Sequence, residues 1–204
     1  MSSSVRAAPR GWWVMLAAAT AIALYGLRFA VVGLEAFGPG LFESFAQRPW
    51  AIWFHVVFGP IALVTGALNF RHAVRRTSPA LHRRVGEAYV LAALLTGLAG
   101  GWLALFAQGG PNTTSGFGAL ALATLVTVVM AYRRARARDF RAHRRWMIRS
   151  YALILAAVTL RIQLPLLARA LQGFLPAYDI IAWSCWVPNL LVAEWIARRT
   201  THPA

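Results

Sequence analysis

Residues 86–107 read GEAYVLAALLTGLAGGWLALFA, a run in which Glu87 is the only charged residue. A helix needs about 17–25 mainly apolar residues to cross the hydrocarbon core of a bilayer, and this run has that length. Within hydrocarbon each backbone N–H and C=O must find its partner inside the segment, which excludes a lone strand. The run therefore predicts a transmembrane α-helix.

Five other stretches share this length and apolar character, although the fourth is short and the sixth is the most polar. The six predicted spans cover residues 12–34, 50–70, 86–107, 116–132, 147–171 and 178–197. The sequence thus predicts an all-α fold, an integral membrane bundle of six transmembrane helices. We expect residues 1–204 to form a single membrane domain.

The composition excludes most soluble classes of protein. Hydrophobic residues make up 59% of the chain, charged residues 13%, and the mean hydropathy is +0.55, whereas soluble domains are about a quarter charged. A net charge of +15 would suggest nucleic-acid binding in a soluble protein. Here the charge is confined to short stretches between apolar runs, so no nucleic acid is expected as a partner. The single Cys185 excludes an intrachain disulfide and a cysteine-built metal site.

The distribution of arginine predicts the orientation of the bundle. All 21 basic residues other than histidine are Arg, and seventeen of them lie in the N-terminal tail, the second and fourth connections and the C-terminal tail. The opposite connections, about 35–49, 108–115 and 172–177, contribute only Arg48. Because positive residues accumulate on the cytoplasmic side, both termini are predicted to be cytoplasmic.

Two cytoplasmic connections end in the same pattern. The first HRR segment is SPALHRR at residues 78–84, and the second HRR segment is DFRAHRR at residues 139–145. Each has a good N-cap residue, a His four positions later and then two Arg. One interpretation is that these residues only bind anionic lipid headgroups. The other is an inner-face site, possible for metal or anion, formed by His82, Arg83, Arg84, His143, Arg144, Arg145 and Arg149, which His72 could join.

A second polar group is predicted in the outer half of the membrane. Arg161 lies about 21 Å from the inner end of the fifth span at 1.5 Å per residue, too deep to reach the inner surface. Ionisable residues inside a span are costly and indicate function by default. The predicted ligand-binding residues are Arg28, His55, Arg161 and Gln163. The alternative is that Arg161 only locks the bundle through a carboxylate or helix-end carbonyls, and the candidate carboxylates are Glu35, Glu43 and Asp179.

Several of these motifs resemble those of domain of unknown function 2306, a family of predicted bacterial membrane proteins. The resemblance rests on His55-x-x-x-Gly59, LHRRVGEAY (81–89), Gly116-Phe117 and HRRWMIRSYALILAAVTLRIQLP (143–165). It covers about residues 50–165. It implies a multipass protein of the bacterial inner membrane and brings no established activity or cofactor. The positions typical of the family include His55, His82, His143, Arg149 and Arg161.

Three functions remain open at this point. The first is binding or transport of a small anionic or lipid-like ligand at a buried Arg/His pocket. Its support includes Pro165 and Pro188, helix-breaking residues that are expected to interrupt the last two spans, as in transporters with interrupted helices. The second is membrane electron transfer through one haem b, for which His82 and His143 would be the iron ligands. The third is an accessory or assembly subunit, with a homo-oligomer or a membrane complex as partner. The chain has no HExxH motif, nucleophile elbow or phosphate-binding Gly-rich loop, so whether it is an enzyme stays open.

Overall fold

The computed structural model describes residues 10–33 and 46–199, and within these ranges the regular structure is entirely helical. The helices are α1 (Arg10–Val32), α2 (Pro49–Asn69), α3 (His72–Thr77), α4 (Pro79–Ala104), α5 (Pro111–Arg136), α6 (Phe140–Ile154), α7 (Ala156–Ala170), α8 (Phe174–Ser184) and α9 (Val187–Arg199).

Six stretches of helix are long and apolar enough to cross a membrane, which confirms the predicted bundle. They are Arg10–Phe29, Pro49–Asn69, Pro79–Ala104, Pro111–Arg136, Phe140–Ala170 and Phe174–Arg199. The third begins seven residues earlier than predicted because the first HRR segment forms the first turns of α4. We call the end of the bundle that carries α3 and both HRR segments the basic end, and the opposite end the far end.

The fifth and sixth spans are each built from two helices. The break in the fifth span falls at Leu155, between α6 and α7, and not at the predicted Pro165, which lies inside α7. The side-chain amide of Asn189 donates to the carbonyl of Ala152 at 3.3 Å. An inserted side chain of this kind is a usual cause of a break in a helix. The prediction that Pro165 interrupts the fifth span is therefore wrong.

The sixth span breaks between α8 and α9, next to the predicted Pro188. Proline has no N–H, so Pro188 cannot bond the carbonyl four residues before it, which is that of Ser184. The Gln163 amide lies 3.5 Å from this carbonyl, and the Ser184 hydroxyl donates to Gln163 Oε1 at 2.9 Å. The Gln163 side chain of α7 thus lies against the Ser184 carbonyl that Pro188 leaves without its helical partner. The helices α7 and α8 pack against each other.

The largest buried hydrophobic cluster in the described residues draws on α1, α2, α4, α5 and α6. Tyr89 and Tyr151 are almost fully buried in it, and both rings press on Gly66 of α2. The Tyr151 hydroxyl donates to the carbonyl of Leu63 at 2.9 Å, and the Tyr89 hydroxyl lies 2.7 Å from Ser150 Oγ. Two large side chains therefore reach across the bundle because the facing helix has no side chain at residue 66.

Candidate functional site

Arg161 lies in the far half of the fifth span, nine residues before the end of α7. Its guanidinium donates to the carbonyl of Ala157 on its own helix at 3.0 Å, and its centre lies 5.9 Å from the centroid of the Tyr25 ring. Within the described residues, no carboxylate forms an ion pair with it. A guanidinium has five N–H donors, so a single backbone carbonyl leaves most of them for another partner.

A second guanidinium contacts the same tyrosine from α1. Arg28 stacks on the Tyr25 ring with its centre 4.0 Å from the centroid, and it donates to the Tyr25 hydroxyl at 2.9 Å. It also lies 4.9 Å from the centroid of Phe29. Arg28 and Arg161 are close enough to repel each other electrostatically. Tyr25 therefore holds two cations from α1 and α7 side by side, an arrangement that favours an anion.

His55 completes this cluster from α2. Its Nδ1 lies 3.2 Å from the carbonyl of Thr96 on α4 and 3.3 Å from the hydroxyl of the same residue; in the tautomer that donates to the carbonyl, Nδ1 carries the proton. In the neutral ring Nε2 is then an acceptor, and once the ring is protonated it becomes a second donor. The imidazole lies close to Gly100, where an added Cβ would come within 3.2 Å of it. Arg161 is one of the groups that act on this ring electrostatically.

The other predicted members of the outer site lie elsewhere or outside the described residues. Gln163 faces α8 and bonds Ser184, so the structure does not bring it to Arg161. Asp179 accepts from Asn112 at 2.8 Å and from Thr113 at 3.0 Å, and this pairing fixes α8 to α5. The structure therefore overturns Asp179 as a partner of Arg161. Glu35 and Glu43 fall outside the described residues.

At the basic end the two HRR segments come together, but their histidines have different partners. His143 Nδ1 donates to the carbonyl of Ala131 on α5 at 2.9 Å. His82 Nδ1 is buried, and it has no hydrogen-bond partner in the part of the chain that the structure describes. Arg75 and His143 lie close enough to act on His82 electrostatically.

The arginines of the predicted inner-face site separate into two groups. Arg83, Arg84 and Arg144 are exposed, while Arg145 is half-buried. Arg149 points into the bundle and donates to Glu194 of α9 through both Nε and Nη2 at 2.8 Å. Glu194 also accepts from Arg198 at 2.8 Å. Arg149 therefore ties α6 to α9, while Arg83, Arg84 and Arg144 lie on the surface.

The described residues contain no group of three or more His, Cys, Asp or Glu that could hold a metal ion. A b-type haem needs two axial ligands. The bond from His143 Nδ1 to Ala131 is the support that a ligating histidine usually has, since it leaves Nε2 for iron. His82 Nδ1 lacks such a support among the same residues. Of the two candidate haem ligands, His143 therefore has the hydrogen bond expected of an iron-binding histidine, and His82 has no such bond within the described residues.

The six apolar spans and the basic end define a multipass integral membrane protein. Within this class, residues 52–197 match the family described as predicted membrane protein, DUF2306. The match covers most of the chain, so the protein belongs to that family, as the sequence motifs suggested. No curated protein and no solved structure matches the chain.

Some residues of these sites were not singled out in the sequence. Tyr25 lies three residues before Arg28, a spacing that puts both on one helix face. Asn189 and Glu194 are not among the predicted site residues, and they make bonds that join the last two spans. Glu194 could have been found because it is the only carboxylate near the basic end of the sixth span.

Proposed function

We propose that this protein binds an anionic, lipid-like molecule in the far half of the bacterial inner membrane, at the cluster of Tyr25, Arg28, His55 and Arg161. The observation that carries the proposal is the guanidinium of Arg161. It lies inside a span, and within the described residues its polar partners are one carbonyl of its own helix and the Tyr25 ring.

The energetics support an anionic ligand. Placing an arginine near the middle of a membrane helix costs about 2.5–3.5 kcal/mol on insertion scales, and such residues are retained where they bind something. A carboxylate or phosphate can accept two parallel N–H bonds from one guanidinium, and such charge-assisted bonds are roughly twice as strong as neutral ones. A second cation, Arg28, contacts the same tyrosine ring from α1. Two guanidiniums together bind one anion better than either does alone.

The apolar part of the ligand follows from where the cluster opens. His55 and Tyr25 are both exposed on the surface of the bundle, Tyr25 to 45%, although both belong to membrane-spanning helices. A molecule reaches this side of the bundle through the bilayer. The ligand therefore needs an acidic head for the guanidiniums and an apolar body that tolerates the hydrocarbon around α1 and α2.

The test compares binding of an acidic and a zwitterionic lipid to the purified protein. Wild type, Arg161→Met and Arg169→Met are reconstituted in nanodiscs, and bound phosphatidylglycerol and phosphatidylcholine are counted by native mass spectrometry. Arg169 is the matched control because it lies on the same helix and is exposed. We expect Arg161→Met to weaken phosphatidylglycerol binding about tenfold, since a bond to a charged group contributes about 1.5–3 kcal/mol.

The control separates this site from general attraction to acidic lipid. Arg169→Met should retain the binding of wild type, and phosphatidylcholine should bind all three proteins equally. Equal loss of phosphatidylglycerol in both variants would show that surface charge alone is responsible. Unchanged binding in Arg161→Met would refute the proposed site.

A further inference from the structure

The two halves of the fifth span are buried to different extents. Both α6 and α7 have 15 residues, yet α6 contains seven buried residues and α7 contains one, Ala156. Segments with few buried apolar contacts are the ones that move most readily in a folded protein. The bundle therefore holds α7 less firmly than it holds the helix before it.

Hydrogen bonds from the sixth span hold one side of α7. The Asn189 amide donates to Thr159 Oγ1 at 2.9 Å. The Ser184 hydroxyl donates to Gln163 Oε1 at 2.9 Å. Thr159 and Gln163 are four residues apart and so lie on the same face of the helix. A single face of α7 is thus bonded to the sixth span.

The break at Leu155 gives α7 a point about which it can turn. The Val158 N–H reaches the Leu155 carbonyl at 2.9 Å, a tighter turn than that of an α-helix. The Asn189 amide also lies 3.3 Å from the carbonyl of Ala152 and 3.1 Å from that of Cys185, next to the breaks in the two spans. Hinges are usually a few residues at the ends of helices, as here.

The neighbouring helix α8 is fixed to α5. Asp179 accepts from Asn112 at 2.8 Å and from Thr113 at 3.0 Å. Gly116 of α5 lies so close to α8 that an added Cβ would come within 2.8 Å of the Ala182 backbone. The pair α5–α8 therefore forms a frame relative to which α7 can move.

Arg161 is on a different face of α7 from the bonds to the sixth span. It lies two residues after Thr159, and helix positions two apart do not face the same way. Its guanidinium centre lies 5.9 Å from the centroid of the Tyr25 ring on α1. A turn of α7 about Leu155 therefore changes the distance between Arg161 and α1, while α8 stays in place.

We propose that α7 is a gate, which turns about Leu155 and tilts away from α1 to admit the acidic lipid from the bilayer to Arg161. This inference rests on the proposed function, which supplies the molecule that enters. The bonds from Asn189 and Ser184 hold the gate closed. An anion bound between the guanidiniums of α1 and α7 also favours the closed position, because it attracts both.

The test measures distances between spin labels in nanodiscs by double electron–electron resonance. Cys185 is the only cysteine of the chain, so Cys185→Ala gives a background without other thiols. Leu24→Cys on α1 and Leu166→Cys on α7, which are 64% and 65% exposed, report the gate. Leu122→Cys on α5 and Ile180→Cys on α8, which are 64% and 48% exposed, report the frame.

Thr159→Val removes one bond of α7 and leaves the Asn189 bonds at both breaks in place. We expect this variant to add a population with a longer α1–α7 distance, and the double variant with Ser184→Ala to enlarge it. Leu166 lies about 16 Å from Leu155, so a turn of about 15° moves it by about 4 Å. The α5–α8 distance should stay the same in all variants.

The lipid response separates the gate from the proposed function. Adding phosphatidylglycerol to phosphatidylcholine nanodiscs should reduce the longer population in Thr159→Val, and Arg161→Met should abolish this response. If the variant lengthens the distance and phosphatidylglycerol has no effect, the gate is supported and lipid binding at Arg161 is refuted. Equal α1–α7 distances in wild type and both variants would overturn the gate alone. Equal broadening at both label pairs would also overturn it, since it indicates general loosening.

Discussion

The two HRR segments have nearly the same sequence pattern, but more of their polar groups are hydrogen-bonded in the second segment than in the first. In the second segment Asp139 caps α6 by accepting from the backbone N–H of Ala142 at 3.0 Å, and His143 bonds Ala131. In the first segment Ser78 makes no side-chain cap bond. His82 Nδ1 also finds no partner in the described chain. A repeated motif therefore sets where a helix begins, while its neighbours decide which of its polar groups are satisfied.

Equivalent positions of the two segments also differ in identity. Six residues after the histidine the second segment has Arg149, which pairs with Glu194, whereas the first has Ala88. Seven residues after it the positions are Ser150 and Tyr89, and these two hydroxyls bond each other. The two helices that the segments begin are thus bonded to each other at the seventh residue after the histidine, and they differ in charge at the sixth. The helix that the second segment begins therefore has an ion pair to α9, where the equivalent residue of the first, Ala88, carries no charge.

The largest expected effect is at Gly66, which faces a tyrosine from each of the two helices that the HRR segments begin. In Gly66→Ala the new methyl would overlap the ring of Tyr151 and lie 2.9 Å from that of Tyr89. Neither ring can retreat easily because their hydroxyls are bonded. We expect a loss of about 3 kcal/mol, the upper range for overpacking. The measurement is SDS-induced unfolding in mixed micelles, with Gly118→Ala as the substitution at an open helical position. Equal stability of the two variants would contradict the packing described.

A moderate effect is expected at the caps and tests the comparison directly. Asp139→Ala removes a cap bond and should lower the free energy of unfolding by about 1 kcal/mol. Ser78→Ala removes a side chain that makes no cap bond, so its unfolding should stay within a few tenths of wild type. Both variants are measured by the same SDS titration. If Ser78→Ala costs as much as Asp139→Ala, the two segments are equally capped and the contrast between them fails.

The smallest effect is expected at the ion pair between Arg149 and Glu194, which has no equivalent on the helix that the first segment begins. Glu194→Gln leaves Arg149 and Arg198 with a neutral acceptor. Since the pair is partly exposed, the cost should be under about 1 kcal/mol and should shrink in high salt. The matched control is Glu87→Gln, an exposed carboxylate that forms no ion pair within the described ranges. The measurement is the temperature of unfolding of both variants at low and at high salt. Equal values for the two variants at both salt concentrations would contradict a stabilising ion pair.

Much of the architecture could be predicted because a bilayer imposes length and polarity on each span. The six spans and the helix starts at Pro79 and Phe140 follow from local sequence. The break at Leu155 could not be predicted, since its cause is the Asn189 amide of another span. A proline is a local signal, whereas a side chain inserted from a neighbour depends on tertiary packing.

The candidate site shows the same division. The depth of Arg161 and His55 follows from counting residues along a helix, and the structure brings both to one cluster. Their contacts could not be predicted from one sequence. Arg161 could have met a carboxylate, but Asp179 is held by Asn112 and Thr113 on the other side of α8. Which cation meets which acid depends on how the helices rotate, and hydrophobic periodicity does not determine that.

The pairing of α7 with α8 bears on how the chain enters the membrane during synthesis. A single helix that carries Arg161 and exposes the amide of Gln163 is a poor substrate for insertion by itself. When α8 follows, Ser184 bonds Gln163 on both its donor and its acceptor side. Insertion of the two as one hairpin avoids exposing this amide to lipid. The fifth span is therefore expected to leave the translocon together with the sixth, and truncation after residue 173 should impair its integration.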